Sequence, residues 1–144
     1  MARSSKQQSH PEPLTASGPS LSELLHVSQV DFELDFFGRI LERHPAFLEA
    51  LRCHAGNLAA KKRFGESLQV ERRIIQLRPA DALAHYNLAC SYALLRQPDL
   101  ALTTLRKALE LGYHDFRYIQ KDRDLDSIRK DPRFRKMLRE FDCR

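Results

Sequence analysis

A chain of 144 residues has room for one domain and a tail, and its net charge of +5, from 24 basic and 19 acidic residues, is interspersed rather than blocked. Leu is frequent while Val, Thr and Gly are sparse, which disfavours a fold built from strands. No apolar run approaches the ~20 residues of a bilayer span, and Cys53, Cys90 and Cys143 form no CxxC pair, so a cytoplasmic protein with reduced thiols is expected rather than a membrane protein or a disulfide scaffold.

Residues 1–19 combine Ser, Gln, Pro and His with almost no large apolar side chain. Such a segment buries too little surface to offset its ordering entropy, and a disordered tail is predicted there, with the domain running from 20 to 144. Ser20-Leu21-Ser22-Glu23 has the form of a capping box and predicts a short helical turn through Leu24, Leu25 and Val27. A second start signal at Ser28–Asp31 predicts a stronger helix, in which Phe32, Leu34, Phe36, Phe37, Ile40 and Leu41 include the i, i+3, i+4 spacing of an amphipathic face. Residues 20–45 are thus expected to form flanking helices.

From here the chain carries an internal period. Pro45 and Pro79 lie 34 residues apart, and Tyr113 lies 34 further on. The same step superposes Leu34, Leu68 and Leu102; Ile40, Ile74 and Ala108; Leu41, Ile75 and Leu109; and Ala55 with Ala89. Two helices per 34 residues are predicted, with units over 46–79 and 80–112. In the second unit, Ala89 and Ala101 are small enough for two backbones to approach, while Tyr92 and Leu105 fill the space between turns. The first unit matches this pattern more loosely, and looser packing is expected there, at His54, Ser67 and Glu71. After Tyr113 the period stops. Gly112 suits a helix C-cap, Asp131-Pro132 suits a helix start, and Phe134, Met137, Leu138 and Phe141 share one helix face. Residues 113–144 are therefore expected to act as a lid on the last unit.

Asp81-Ala-Leu-Ala-His-Tyr86-Asn87-Leu88-Ala89-Cys-Ser-Tyr92, followed by Ala101, Leu105 and Ala108, resembles the tetratricopeptide repeat family, and the closing segment resembles that of many short bacterial arrays. The resemblance implies an all-α fold: antiparallel helix pairs stacked as a short right-handed solenoid, with an N-terminal flanking helix and C-terminal capping helices. It further implies that the first helix of each pair lines a concave groove for a protein or peptide segment. Groove candidates are Glu49, Arg52 and Gly56, then Leu83, Tyr86, Asn87 and Cys90, then Arg117 and Lys121 in the closing segment. Family members that grip a peptide carboxylate use Lys, Arg and Asn in such places. Asn87 matches that pattern and Arg52, Arg117 and Lys121 are chemically similar, whereas Gly56 stands where a second Asn is usual.

Signatures of catalysis are missing from the sequence. The glycines, at 18, 38, 56, 65 and 112, form no phosphate loop, and there is no GxSxG and no HExxH. No enzyme activity and no cofactor are expected. His54 and His85 with Cys53 and Cys90 read as packing residues rather than a metal set. Asp122, Asp124, Asp126 and Asp131 alternate with Lys121, Arg123, Arg129 and Lys130, which reads as caps and surface ion pairs. The expected partner is a protein or peptide, met by a monomer or weak homo-oligomer away from membranes. The alternative is a nucleic acid or other anionic partner on the basic surface, including the Lys61-Lys62-Arg63 turn.

Overall fold

The computed structural model describes Gly18 and residues 20–143, the side chains of residues 26–28 excepted. The tail expected over residues 1–19 lies, Gly18 apart, outside the described residues.

Seven helices and one 3-10 turn follow in order among the described residues: α1 (Leu21–Arg43), α2 (Leu48–Ala60), α3 (Phe64–Leu77), α4 (Ala82–Leu94), α5 (Pro98–Glu110), α6 (Phe116–Lys121), the turn Arg123–Leu125, and α7 (Pro132–Asp142). The capping box is present, with the Ser20 side chain accepting from the Glu23 N–H and Glu23 accepting from the Ser20 N–H at 2.7 Å. The second start signal is not used. One continuous helix runs from Leu21 through Ser28 to Arg43, in place of the two expected. No Gly or Pro interrupts residues 21–37, and extending a formed helix is far easier than nucleating another.

The sequence period is written into the backbone. Helices α2 and α4 start 34 residues apart, as do α3 and α5. Helix α2 ends with Lys62 N–H donating to Ala59 C=O and Arg63 N–H to Leu58 C=O; α4 ends with Arg96 donating to Ala93 and Gln97 to Tyr92, the same pair one period on. Lys62 and Arg96 both take φ 59°, in the left-handed region. The exits of α1 and α3 also match, with His44 at φ −131°, ψ 70° and Arg78 at φ −136°, ψ 73°. At the third such exit the chain departs: Leu111 stays αR and Gly112 takes φ 103°, which turns the chain out of the repeat.

Neighbouring helices pack in sequence, α1 on α2, α2 on α3, α3 on α4 and α4 on α5, with α7 against α5 and the 3-10 turn against α4. Ala89, Ala93, Ala101, Leu105 and Ala108 are wholly enclosed between α4 and α5, as their small size and register require. Ile119, Leu125 and Ile128 are equally enclosed, and Phe134, Met137 and Leu138 complete the same core cluster. The closing segment is a lid in that sense. Arg106–Glu140 at 3.1 Å and Arg133–Asp99 at 2.8 Å tie its outer rim to α5.

The expected looseness of the first unit resolves into a polar contact set. Ser67, one period before Ala101, is fully buried and donates to the Ala55 carbonyl at 3.0 Å. Glu71, one period before Leu105, is buried and accepts from the Ser91 hydroxyl at 2.8 Å. His54 keeps the cost of its position: its Nδ1 is buried without a partner among the described residues, and burial, then the nearby Arg63 charge, depresses its pKa. Face assignments on α1 also need revision. Leu34, Phe37, Ile40 and Leu41 are half-buried, but Phe32 and Phe36 are exposed, their rings 6.0 Å apart.

Candidate functional site

A cleft of about 440 Å³ opens where α2, α3 and α4 meet the closing segment. Beyond Arg52, its α2 wall is made of small residues, Ala55, Gly56 and Ala59, and it faces Leu83, Asn87 and Cys90 on α4. A Cβ built on Gly56 would meet nothing within 4 Å, so the hollow reflects missing side chains and not a close helix approach. The remaining wall comes from beyond the repeat: Tyr113, Tyr118, Asp122 and Asp124.

Asp115, Asp122 and Asp131 are each a cap, accepting from the N–H of Tyr118, Asp124 and Arg133 respectively. Asp122 does more than cap. It is buried, and its Oδ2 accepts from the Tyr86 hydroxyl at 2.5 Å, with Cys90 Sγ 3.7 Å away. The rings of Tyr86 and Tyr113 stack at 4.2 Å and 5°, and Tyr118 lies 6.1 Å from Tyr86. The Arg129 guanidinium donates to the Ile119, Gln120 and Asp122 carbonyls, and Ser127 donates to the Ala93 carbonyl at 2.7 Å, which locks this wall against α4.

The groove candidates are distributed unevenly. Arg52, Gly56, Leu83, Tyr86, Asn87 and Cys90 line the cleft, whereas Glu49 is exposed outside its lining. Tyr86 and Cys90 are buried floor residues, not open groove positions. Arg117 and Lys121 are exposed and are absent from the lining, because the 6-residue α6 turns Tyr118, and then Asp122, toward the cleft. Arg52 is the one cation among the described residues that line it, and it is paired with Asp81. Burial works against the Asp81 charge, but the Ala84 N–H and the Arg52 guanidinium outweigh it and hold the carboxyl low. A carboxylate clamp is therefore not assembled from these residues.

The electrostatics run the other way. Glu71, Asp122 and Asp124 all line the cleft. Burial pushes the Glu71 carboxyl up to about 7, against the hydrogen bond from Ser91 that favours its charge. Asp124 is raised by burial and by the charges of Asp122 and Asp126. Burial and the carboxylates together raise the Cys90 thiol and the phenols of Tyr86 and Tyr113, the last to about 12. Among the described residues, Cys90, Asp122 and Asp124 are the group whose potential ligand atoms cluster, within 4.8 Å; His54, His85 and Cys53 do not join them. The raised thiol and the Tyr86–Asp122 bond make this a poor metal-coordinating set.

Tyr113, Tyr118, Asp122, Asp124 and Glu71 escaped sequence reasoning as site residues. Tyr118 and Asp122, four apart, did offer a signal, since they share one face of a helical turn.

No known protein family's profile matches the chain. Over 83 residues it is 35% identical to a chloroplastic protein of Arabidopsis thaliana; the match spans 56% of this chain and 25% of that protein. Among solved structures it resembles a MamA RS-1 ArsTM double mutant, with a TM-score of 0.60 and 21% identity, over 84% of this chain and 72% of that one. That neighbour is a tetratricopeptide-type helical repeat protein. Helix pairs in register, the 34-residue step and this structural likeness together give the chain an all-α repeat fold of tetratricopeptide type.

Proposed function

We propose that the chain is a protein-interaction module, an adaptor without catalytic activity, whose cleft receives a segment of a partner protein. The observation that carries this reading is the cleft itself. It falls in the size range of ligand sites, it is walled by both first helices and by the closing segment, and half-exposed Leu83 stands at its side beside exposed Asn87. The free thiols Cys53, Cys90 and Cys143 fit a reducing compartment, and we assign the module to the cytoplasm.

Gly56 supplies the test. Gly56→Leu replaces a poor helix former with a good one and places a side chain in open space, so the fold is kept while the cleft is filled. Proteins captured by the wild-type chain from cell extract are expected to fall at least tenfold with Gly56→Leu. Unchanged capture, with unchanged stability, would remove the cleft from the function.

One observation favours a second reading. On the outer face of α7, Arg135, Lys136 and Arg139 are exposed and form no ion pair among the described residues. Phosphate contacts there would give binding to a duplex DNA probe a steep salt dependence. Against it, Lys61, Arg63, Arg106, Arg129 and Arg133 are each paired with a carboxylate.

A further inference from the structure

The chain is basic overall, yet the lining of its cleft is acidic and aromatic, and that inversion is informative about the occupant. Three carboxylates meet two tyrosines of the closing segment within one hollow, and the one lining cation among the described residues is engaged by Asp81. Asp122 already accepts the Tyr86 hydroxyl and the Asp124 N–H. Asp124 is different: its carboxylate accepts no hydrogen bond and forms no ion pair among the described residues, while Asp122 and Asp126 press on it with like charge. A carboxylate beside other carboxylates, in a partly desolvated hollow with no donor of its own, is stabilised by an arriving cation.

We propose, resting on the adaptor reading, that the cleft recognises a protein segment through a single Lys or Arg side chain, whose head meets Asp124 and Asp122 against the faces of Tyr113 and Tyr118 and whose stem lies along Leu83 and the small α2 wall. Cation–π attraction adds to the ion pair where Tyr118 is half-exposed. The apolar wall suits the methylene stem of such a side chain. A polybasic tract is disfavoured, because the chain as a whole is basic, at +5, and only charges within about one Debye length, ~8 Å, of the carboxylates gain from them. The segment recognised therefore holds an isolated cation among apolar residues. This is the opposite of a carboxylate-terminated peptide.

The test uses the full chain and a displayed library of random dodecapeptides. Peptides enriched on the wild-type chain and released by Gly56→Leu are expected to share one Lys or Arg beside an apolar residue. Exchanging that residue for norleucine, or Asp124→Asn on the protein, should weaken binding about five- to tenfold, as expected for loss of one charge-assisted contact. Asp124→Glu should restore most of it. The Asp124 side chain is exposed and has no partner among the described residues, so its Asn variant should melt with the wild type; Tyr118→Leu is an independent second variant. Enriched peptides that need the cleft but lack a cation, or that ignore Asp124→Asn and Tyr118→Leu, overturn the cation proposal and leave the groove reading standing. Enrichment insensitive to Gly56→Leu, or no enrichment at all, overturns both.

Discussion

Glu71 shows how one substitution inside a repeat changes the physics of the whole unit. Its counterpart one period on is Leu105, wholly enclosed in apolar contact. In its place Glu71 puts a carboxyl between two serines. Ser67 spends its only proton on the Ala55 carbonyl, so the 3.4 Å contact between Ser67 and Glu71 is a good hydrogen bond only when the carboxyl donates. The pKa near 7 agrees with that account, because burial favours the neutral form. In the unfolded chain the group titrates near 4.5, so between about 4.5 and 7 the folded state holds a proton that the unfolded state has lost. Stability then falls as pH rises through this window, by an amount on the order of 3 kcal/mol for a shift of this size. Glu71→Gln keeps the size and the hydrogen-bonding capacity without the charge. It is expected to be more stable than wild type at pH 8 by about 1–3 kcal/mol, to match it near pH 4.5, and to flatten the curve between; urea titrations at three pH values decide this. A variant with the wild-type pH profile would show that Glu71 is not the group responsible.

At the scale of the element, the three Schellman-type helix ends differ in who bears the left-handed residue. Lys62 and Arg96 hold φ 59° with a Cβ, which costs roughly 1–2 kcal/mol, whereas Gly112 holds φ 103° without one. Arg96→Gly is accordingly expected to raise stability by about 0.5–1 kcal/mol, and Gly112→Ala to lower it by about 1–2 kcal/mol, both read from thermal melts. Opposite signs at equivalent helix ends are the discriminating result. The helices themselves were readable from sequence because periodic Leu, Ala and Ile positions, the Ser20 capping box, Gly112 and the Asp131-Pro132 start each act locally. The fusion of the two expected N-terminal helices was not, because Ser28 serves a cap or a helix interior equally well and propagation decides. The acidic wall was hidden for a related reason: Asp122 and Asp124 fulfil a local rule as turn residues, and only the tertiary approach of Tyr86, 36 residues upstream, reveals their second role.

For the whole molecule, stability is concentrated at the C-terminal end. The larger core cluster joins α4 and α5 to the closing segment, while the cluster nearer the N-terminus centres on Leu51, Ile74 and Ala84. Removing residues 113–144 would bare the α5 face that packs on α7 and the α4 face beneath the 3-10 turn. Each large side chain so exposed forfeits ~1.5–3 kcal/mol, and several together rival the full stability of a small domain. Truncation after Gly112 is therefore expected to give a molten or aggregating chain although both helix pairs remain. A monomeric truncation product with a cooperative melt near the wild-type temperature would contradict this and make the closing segment a detachable helix.

The Tyr86–Asp122 bond also sets a rule for lengthening the chain. Repeat proteins grow by duplicating a unit, and a duplication is tolerated where the seam it enters carries nothing but packing. Here the seam after Glu110 carries one wall of the cleft. Another 34-residue unit inserted there would carry the closing segment one rung away from α4, leaving the Tyr86 hydroxyl without its acceptor and the hollow without its acidic wall. Growth at the amino end meets no such obstacle: α1 is a second-type helix with exposed Phe32 and Phe36, and units added before it leave α4 and its lid untouched. Lengthened versions of this architecture, evolved or engineered, should keep their cleft only when the added units come first.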